Sequence, residues 1–131
     1  MARILVIDDD RVILEFIKDI LYKYAKTGYT SDWELKITTV TSAINALELI
    51  NESNFELIIT DILMARMDGW EFIKELRKKF PQFDIPIVVI SAVEGVDLQY
   101  ECMRYGASAW FQKPLHPESF TTGIFNLIQE R

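Results

Sequence analysis

Five short segments with the character of β-strands alternate with five amphipathic stretches along the chain. The strand-like runs, rich in apolar and β-branched residues, cover residues 3–7, 35–40, 57–61, 87–91 and 109–112. The third run begins with three consecutive branched apolar residues, which is typical of a strand buried on both faces of a parallel sheet. Because a right-handed crossover connects parallel strands through a helix, the alternation predicts a doubly wound α/β domain. Its five-stranded parallel sheet should be covered by helices on both sides.

Capping residues mark the limits of the predicted helices. Asp10 and Ser42 are expected to cap the first and second helices, because their short side chains can accept a backbone N–H of the first turn. Asp68 begins a capping box at the start of the third helix. Gly106 suits the position after the fourth helix, which the pattern places over about 96–105.

The composition is that of one ordinary domain. The chain has 131 residues, half of them hydrophobic, and no repeat or linker interrupts it, so one domain is expected over 1–131. A net charge of −6 without a basic cluster argues against direct nucleic-acid binding. No apolar run reaches the roughly 20 residues that cross a bilayer. The single Cys102 is predicted to be a buried thiol in a reducing compartment, so a cytoplasmic location is expected.

Charged or hydroxyl side chains that can take part in binding or catalysis follow four of the five predicted strands. Asp8 and Asp9 end the first strand, Asp61 the third and Ser91 the fourth, and Lys113 follows the fifth. The carboxyl ends of parallel strands share one edge, where ligands bind in open α/β sheets. Carboxylates gathered there without a cation would repel and raise one another's pKa. A hard divalent ion such as Mg²⁺, which prefers oxygen ligands, would relieve that repulsion.

These residues suit phosphoryl transfer. Asp61 could attack a phosphoryl group in line and form an acyl phosphate. The metal ion and the Lys113 ammonium would neutralise charge on the equatorial oxygens, and Ser91 would hydrogen-bond one of them. A turn or helix-capping role would explain Asp61 alone, but not the residues expected around it.

The order and spacing of these residues resemble the CheY-like receiver domains of two-component response regulators over essentially the whole chain. The matching positions are Asp8-Asp9, Asp61 with Met64 and Met67-Asp68-Gly69 behind it, Ser91-Ala92, Gly106-Ala107-Ser108 and Lys113-Pro114. The resemblance implies a flavodoxin-like fold with strand order 2-1-3-4-5. It also implies that Asp61 accepts a phosphoryl group from a phosphohistidine of a sensor histidine kinase or of a histidine phosphotransfer protein. The protein would then be a phosphoacceptor, with no enzymatic turnover beyond its own phosphorylation and slow dephosphorylation.

The resemblance assigns the metal ligands as well. Asp9 and Asp61 would bind Mg²⁺ directly, with the backbone carbonyl of Leu63, and Mn²⁺ could substitute for Mg²⁺. Asp8 would act mainly through a bound water. The Lys113-Pro114 bond is expected to be cis, as in the family, which aims the lysine at the phosphate.

The resemblance also suggests how the signal leaves the domain. Phosphorylation would move Ser91 and change the face formed by the fourth helix, the fifth strand and the last helix, where a downstream protein would bind. The resemblance leaves undecided whether a homodimer forms on activation, and it implies no membrane contact. Because the chain ends one helix after Lys113, no output domain is expected.

Four positions bear on how such a receiver would behave. Ala65 stands where proline is common, so the loop after the third strand loses one φ restraint. Trp110 stands where a Phe or Tyr usually rotates inward as Ser91 moves. Either this switch is altered, or Trp110 is a partly exposed residue of a partner-binding face. Leu63 and Val93 flank the path of the hydrolytic water and are apolar, so slow self-dephosphorylation is expected.

Two other classes of function stay open at this point. Asp8 and Asp10 have the Asp-x-Asp spacing of haloacid-dehalogenase-like phosphatases, with Asp8 as nucleophile and Asp10 as acid and base. The acidic pair that such enzymes need beyond Lys113 is not present in the sequence. An interaction module that is independent of phosphorylation would keep the fold without using Asp61.

Overall fold

Five strands alternate with five helices in the computed structural model, which describes residues 2–26, 34–64, 67–79, 85–92 and 97–129. In chain order these elements are β1 (Ala2–Ile7), α1 (Arg11–Tyr24), β2 (Leu35–Val40), α2 (Ala43–Glu52), β3 (Leu57–Asp61), α3 (Gly69–Lys79), β4 (Ile87–Ser91), α4 (Leu98–Tyr105), β5 (Ala109–Gln112) and α5 (Pro117–Gln129). The strand limits agree with the sequence prediction to within one residue. None of the described helices combines the length and the apolar character that crossing a membrane requires.

The strands form one parallel sheet in the order β2-β1-β3-β4-β5. In its register Ile7 lies opposite Thr60, and Asp61 lies opposite Ile90. The predicted doubly wound, flavodoxin-like topology is therefore confirmed. The chain turns to opposite sides of the sheet after β1 and after β3, so the loops that follow these two neighbouring strands diverge. Such a divergence leaves a crevice at the carboxyl ends of the strands.

Alternate residues of the strands supply two separate core layers, one on each face of the sheet. The layer beneath α1 and α5 includes Ile4, Val6, Leu57, Ile59, Val88, Ile90, Phe120 and Ile124. The layer beneath α2, α3 and α4 includes Leu5, Ile7, Ile58, Val89, Phe72, Ile73, Leu76 and Cys102. Burial on both faces explains why the central strands β1, β3 and β4 are nearly continuous apolar runs, whereas the edge strands β2 and β5 are partly exposed and more polar. The prediction of a buried Cys102 is confirmed, and burial, assisted by the charge of Glu101, raises the pKa of its thiol to about 11.

Helix α1 buries only part of its apolar pattern. Apolar residues recur along it at Val12, Ile13, Phe16, Ile17, Ile20, Leu21 and Tyr24, which predicts an amphipathic helix. Ile17 and Leu21 are buried as this pattern predicts, together with Leu14, and the three form one narrow stripe with three- and four-residue spacing. Val12 and Phe16, in contrast, are 74% and 37% exposed. A helix that covers a single sheet face buries only such a stripe, so apolar side chains outside it stay at the surface.

The predicted helix caps are confirmed. Asp10, Ser42 and Asp68 each accept a backbone N–H of the following first turn, at 2.9, 3.2 and 2.8 Å. Gly106 follows α4 with a φ of 89°, in the left-handed region that favours glycine. Several predictions concern residues outside the described ranges: the restraint lost at Ala65, the position of Val93 and the start of the fourth helix near residue 96. The polar segment 29–34, whose sequence predicts a loop before the second strand, also lies outside them apart from its last residue.

Candidate functional site

The ends of four strands bring the predicted site residues to one edge of the sheet. Asp8 follows β1, Asp61 and Ser91 end β3 and β4, and Lys113 follows β5. Asp8, Asp61 and Ser91 are buried although they are polar, with exposures of 0%, 6% and 0%. Asp9 is exposed. Since buried polar groups require partners, the contacts among these residues decide what the site can do.

The three aspartates form a compact acidic cluster. Carboxylate oxygens of Asp8, Asp9 and Asp61 lie within 4.8 Å of one another. Oxygens bound to the same magnesium ion are separated by roughly 3 to 4 Å, given metal–oxygen distances of about 2.0 to 2.1 Å. Small side-chain adjustments would therefore let the three residues share one ion.

Asp8 uses both of its carboxylate oxygens within the protein. Its Oδ1 accepts the backbone N–H of Asp10 at 2.9 Å, and its Oδ2 accepts a hydrogen bond from the Lys113 ammonium at 2.8 Å. Asp61 is held by its own backbone, because its Oδ1 accepts the N–H of Ile62 at 2.8 Å. These contacts fix the orientation of both buried carboxylates.

Lys113 is shared by two carboxylates. Its Nζ lies 2.8 Å from Asp8 Oδ2 and 3.4 Å from Asp61 Oδ2, and its side chain is only 15% exposed. The backbone N–H of Lys113 donates to the Ser91 carbonyl at 2.7 Å, which ties the loop after β5 to the end of β4. The Lys113-Pro114 peptide bond is cis, which confirms the prediction.

One ammonium does not neutralise this site. Three carboxylates and one ammonium leave a formal charge of −2. Burial, and after it the neighbouring charge of Asp8, raise the pKa of Asp61. Lys113 and the Ile62 N–H lower this pKa, but by less, so the net shift is upward. Burial alone would lower the pKa of Lys113, but its contacts with Asp8 and Asp61 outweigh burial and raise it. The lysine is thus held in its charged form while the aspartates keep an excess of negative charge.

This donor set fits a hard divalent cation. All of the side-chain ligand atoms are oxygens, which Mg²⁺ prefers, and one such ion would balance the excess charge of −2. Asp9 and Asp61 are the better candidates for direct ligands. Lys113 lies closer to Asp8 than to Asp61, at 2.8 against 3.4 Å, so Asp8 is the more strongly engaged of the two buried carboxylates. Its contact with the ion through water stays a prediction. The contribution of the Leu63 carbonyl stays a prediction.

The raised pKa of Asp61 predicts a pH dependence of stability. The folded state holds this proton more tightly than the unfolded chain, whose carboxyl has a pKa near 3.8. Without a divalent ion, the contribution of Asp61 to the free energy of unfolding should therefore fall as the pH rises from 3.8 through the folded pKa. Urea denaturation of the wild type and Asp61→Asn across this range should show a growing advantage of the Asn variant. A shrinking advantage would contradict the assignment.

Gly69 belongs to the site, although only a motif match pointed to it in the sequence. Its backbone N–H donates to the Ile62 carbonyl at 2.7 Å. A Cβ at this position would lie 2.2 Å from the Asp61 carbonyl oxygen and 2.8 Å from Ile62 Cα. Only glycine therefore allows the start of α3 to approach the backbone of the acceptor strand this closely. The available signal was a glycine at the first helical position, where most other residues form helix better.

Other predicted positions lie around this centre. Asp10 is exposed and caps α1, as the capping interpretation expected. Leu63 is 60% exposed, and Trp110 on β5 is 41% exposed. This exposure favours a surface role for Trp110 over a buried one. The switch role of Ser91 and Trp110 stays a prediction.

Comparison of the sequence with known proteins shows the family of the chain. The family described as the response regulator receiver domain matches residues 4–125. The transcriptional regulatory protein ZraR of Klebsiella oxytoca is 32% identical over 112 residues, which cover 86% of this chain and 23% of that protein. Response regulator MprA of Mycobacterium ulcerans is 31% identical over 128 residues, which cover 98% of this chain and 50% of MprA. The chain thus spans between about a quarter and half of these two relatives.

Solved structures of similar fold include those of two response regulators. The receiver domain of the Francisella response regulator 1452 superposes with a TM-score of 0.84 at 25% identity, covering 99% of this chain and 98% of that one. The chemotaxis response regulator CheY4 of Vibrio cholerae gives a TM-score of 0.81 at 24% identity, covering 97% and 98%. Both similarities extend over essentially the whole chain and show that it has the same fold as these two proteins. Together with the family match, they show that this chain belongs to the receiver domain family of two-component response regulators.

Proposed function

We propose that this chain is a phosphorylation-dependent receiver in which Asp61 accepts a phosphoryl group. The donor would be a phosphohistidine of a sensor histidine kinase or of a histidine phosphotransfer protein. The observation that carries the proposal is the buried Asp61 carboxylate, which lies in one cluster with Asp8 and Asp9 and within 3.4 Å of the Lys113 ammonium. Membership of the receiver family supports the same role.

Asp61 would act as the nucleophile. One of its carboxylate oxygens attacks phosphorus and the bond from phosphorus to the donor's ring nitrogen breaks, so Asp61 becomes an acyl phosphate. The donor's imidazole leaves in its neutral form when its second ring nitrogen carries a proton. The Ile62 N–H already orients the carboxylate before the donor arrives.

The neighbouring groups would stabilise the transferring oxygens. Mg²⁺, or Mn²⁺ in its place, would supply positive charge there. The ion would be held directly by Asp9, Asp61 and the Leu63 carbonyl, and through water by Asp8. Lys113 is close enough to move its ammonium from Asp61 to a phosphoryl oxygen without leaving the site. The Ser91 hydroxyl would hydrogen-bond a second oxygen.

The output would leave through the face formed by α4, β5 and α5. Exposed apolar side chains are available there, because Tyr100 and Met103 on α4 and Trp110 on β5 are 59%, 75% and 41% exposed. The backbone bond from Lys113 to Ser91 gives the site a direct connection to this face. A downstream protein, or a second copy of the chain on activation, would bind to it. We place the domain in the cytoplasm, without direct nucleic-acid or membrane contacts of its own.

The lifetime of the acyl phosphate depends on residues beside the hydrolytic water. Leu63 is apolar and cannot orient that water by hydrogen bonding, and the same holds for Val93, which lies outside the described residues. Leu63→Asn and Val93→Glu are therefore expected to speed self-dephosphorylation, by about tenfold when a new polar group positions the water. The measurement is the decay of phosphorylated protein after removal of the donor. Unchanged rates in both variants would exclude this explanation.

Labelling with a small phosphodonor tests the proposal directly. Incubation with acetyl phosphate and Mg²⁺ should add one phosphoryl group, detected by intact mass and mapped by peptide analysis to Asp61. Transfer from a panel of phosphorylated histidine kinases would then identify the partner. A chain that is not labelled by either route would instead be an interaction module that does not use phosphate.

A further inference from the structure

Two aromatic rings connect α3 to α4 behind the site. The ring centroids of Trp70 and Tyr105 are 5.0 Å apart and their planes make an angle of 25°, so the rings are stacked. Both residues pack against the core layer beneath α2, α3 and α4. The guanidinium of Arg104 lies 5.4 Å from the centroid of the Tyr105 ring, which adds a cation–π contact. The stack joins the first turn of α3 to the last turn of α4.

The first turn of α3 also lies against the backbone of the acceptor. Trp70 directly follows Gly69, whose missing Cβ is what allows contact with the Asp61 carbonyl, and Gly69 N–H bonds the Ile62 carbonyl at 2.7 Å. The Ile62 N–H in turn holds the Asp61 carboxylate. Backbone atoms make the contact between α3 and the Asp61–Ile62 peptide, so a displacement of the first turn of α3 would be transmitted to the Asp61 carboxylate.

The end of α4 is fixed to α3 at a second point. The side chain of Arg77 on α3 donates a hydrogen bond to the Gly106 carbonyl. The N–H groups of Gly106 and Ala107 both donate to the Cys102 carbonyl, at 2.9 and 2.8 Å. The last turn of α4 therefore forms a rigid support for the stacked ring of Tyr105.

We propose that Tyr105, through its stack with Trp70, is a positioning residue for phosphoryl acceptance by Asp61. The stack clamps the first turn of α3 onto the Asp61–Ile62 peptide and thereby sets the orientation of the carboxylate for metal and phosphoryl binding. Because coupling between two sites is reciprocal, occupation of the acidic cluster should in turn stabilise the last turn of α4. The inference rests on the proposed function, and it names a connection that involves neither Ser91 nor Trp110.

Replacing the ring tests the inference by metal affinity and labelling rate. Relative to the wild type, Tyr105→Leu should raise the dissociation constant for Mg²⁺, measured by calorimetry, and slow labelling of Asp61 by acetyl phosphate, each by about two- to tenfold. Tyr105→Phe keeps the stacked ring and should stay within about twofold of the wild type. Wild-type protein that is not labelled at all would overturn the proposed function. Wild-type protein that is labelled and a Leu variant with the same affinity and rate would overturn only the inference.

A matched variant separates positioning from a general loss of stability. Tyr24 stacks on Phe125 in the opposite core layer, with centroids 5.6 Å apart and an interplanar angle of 18°. Tyr24→Leu should lower the free energy of unfolding, as Tyr105→Leu does, but leave the affinity for Mg²⁺ and the labelling rate unchanged. Equal effects of the two variants on affinity would show that lost stability, not positioning, is the cause.

Hydrogen exchange supplies a readout without phosphoryl transfer. In the wild type, Mg²⁺ with the phosphoryl analogue beryllofluoride should slow exchange of the Gly106 and Ala107 amides, which bond to the Cys102 carbonyl. In Tyr105→Leu this slowing should be lost, while the analogue still binds at a higher concentration. Protection that is equal in both proteins would contradict the coupling.

Discussion

Asp61→Asn should reduce labelling by acetyl phosphate to background. An amide has almost the shape of the carboxylate and can still accept the Ile62 N–H, which Asp61 does at 2.8 Å, but it lacks the charged oxygen that attacks phosphorus. The loss of the nucleophile should therefore be complete rather than partial. Intact mass after incubation with Mg²⁺ and acetyl phosphate is the measurement, and a labelled variant would mean that another residue is the acceptor.

Asp10→Asn is the matched control for this experiment. Asp10 is exposed, lies beside the acidic cluster and caps α1 through a bond of 2.9 Å to the Val12 N–H. Asparagine caps helices about as well as aspartate does, so labelling and stability should both stay near the wild-type values. The reverse pattern, with phosphomonoester turnover that is lost in Asp10→Asn and kept in Asp61→Asn, would favour the phosphatase alternative.

Lys113→Ala should destabilise the protein by about 3 kcal/mol in the absence of divalent ions. The ammonium lies 2.8 Å from Asp8 and 3.4 Å from Asp61, and its removal leaves two buried carboxylates facing each other without a cation. The side chain is 15% exposed, which places the estimate at the lower end of the range for buried ion pairs. Urea denaturation at neutral pH measures the change.

Magnesium should restore more stability to this variant than to the wild type. Removal of the ammonium makes the cluster more negative, so Mg²⁺ binds the folded state more favourably and the gain in unfolding free energy at a given concentration is larger. Lys74→Ala, at an exposed position of α3, should change stability by less than about 0.5 kcal/mol and should respond to Mg²⁺ as the wild type does. A Lys113 variant as stable as this control would show that the lysine does not neutralise the buried carboxylates.

The raised pKa of Lys113 predicts that the contribution of this lysine to stability is lost only at high pH. The folded state holds this proton more tightly than an unfolded lysine with a pKa near 10.5. Its stabilising contribution is thus fully present below 10.5 and is lost only as the pH rises through the higher folded pKa. At neutral pH, the response to Mg²⁺ therefore reports on the aspartates and not on titration of the lysine.

The sequence alone determined the topology and most of the site, because both follow from local patterns. Nearly continuous apolar runs, without the alternation of a half-exposed strand, identified the central strands. Capping residues such as Asp10 and Ser42 marked the starts of helices. The rule that parallel strands end at a common edge was then enough to predict that Asp8, Asp61 and Lys113 meet. The structure brings these residues together as expected.

Only the tertiary structure decided which groups touch. The apolar residues of α1 could not be divided into buried and exposed ones until the sheet selected the stripe of Leu14 and Ile17. The need for glycine at position 69 comes from the close approach of the Asp61 carbonyl, a contact set by how α3 packs and not by any local backbone requirement. The stack of Trp70 on Tyr105 likewise joins two helices far apart in the chain. Such contacts depend on the relative placement of whole elements, about which periodicity and capping along one segment carry no information.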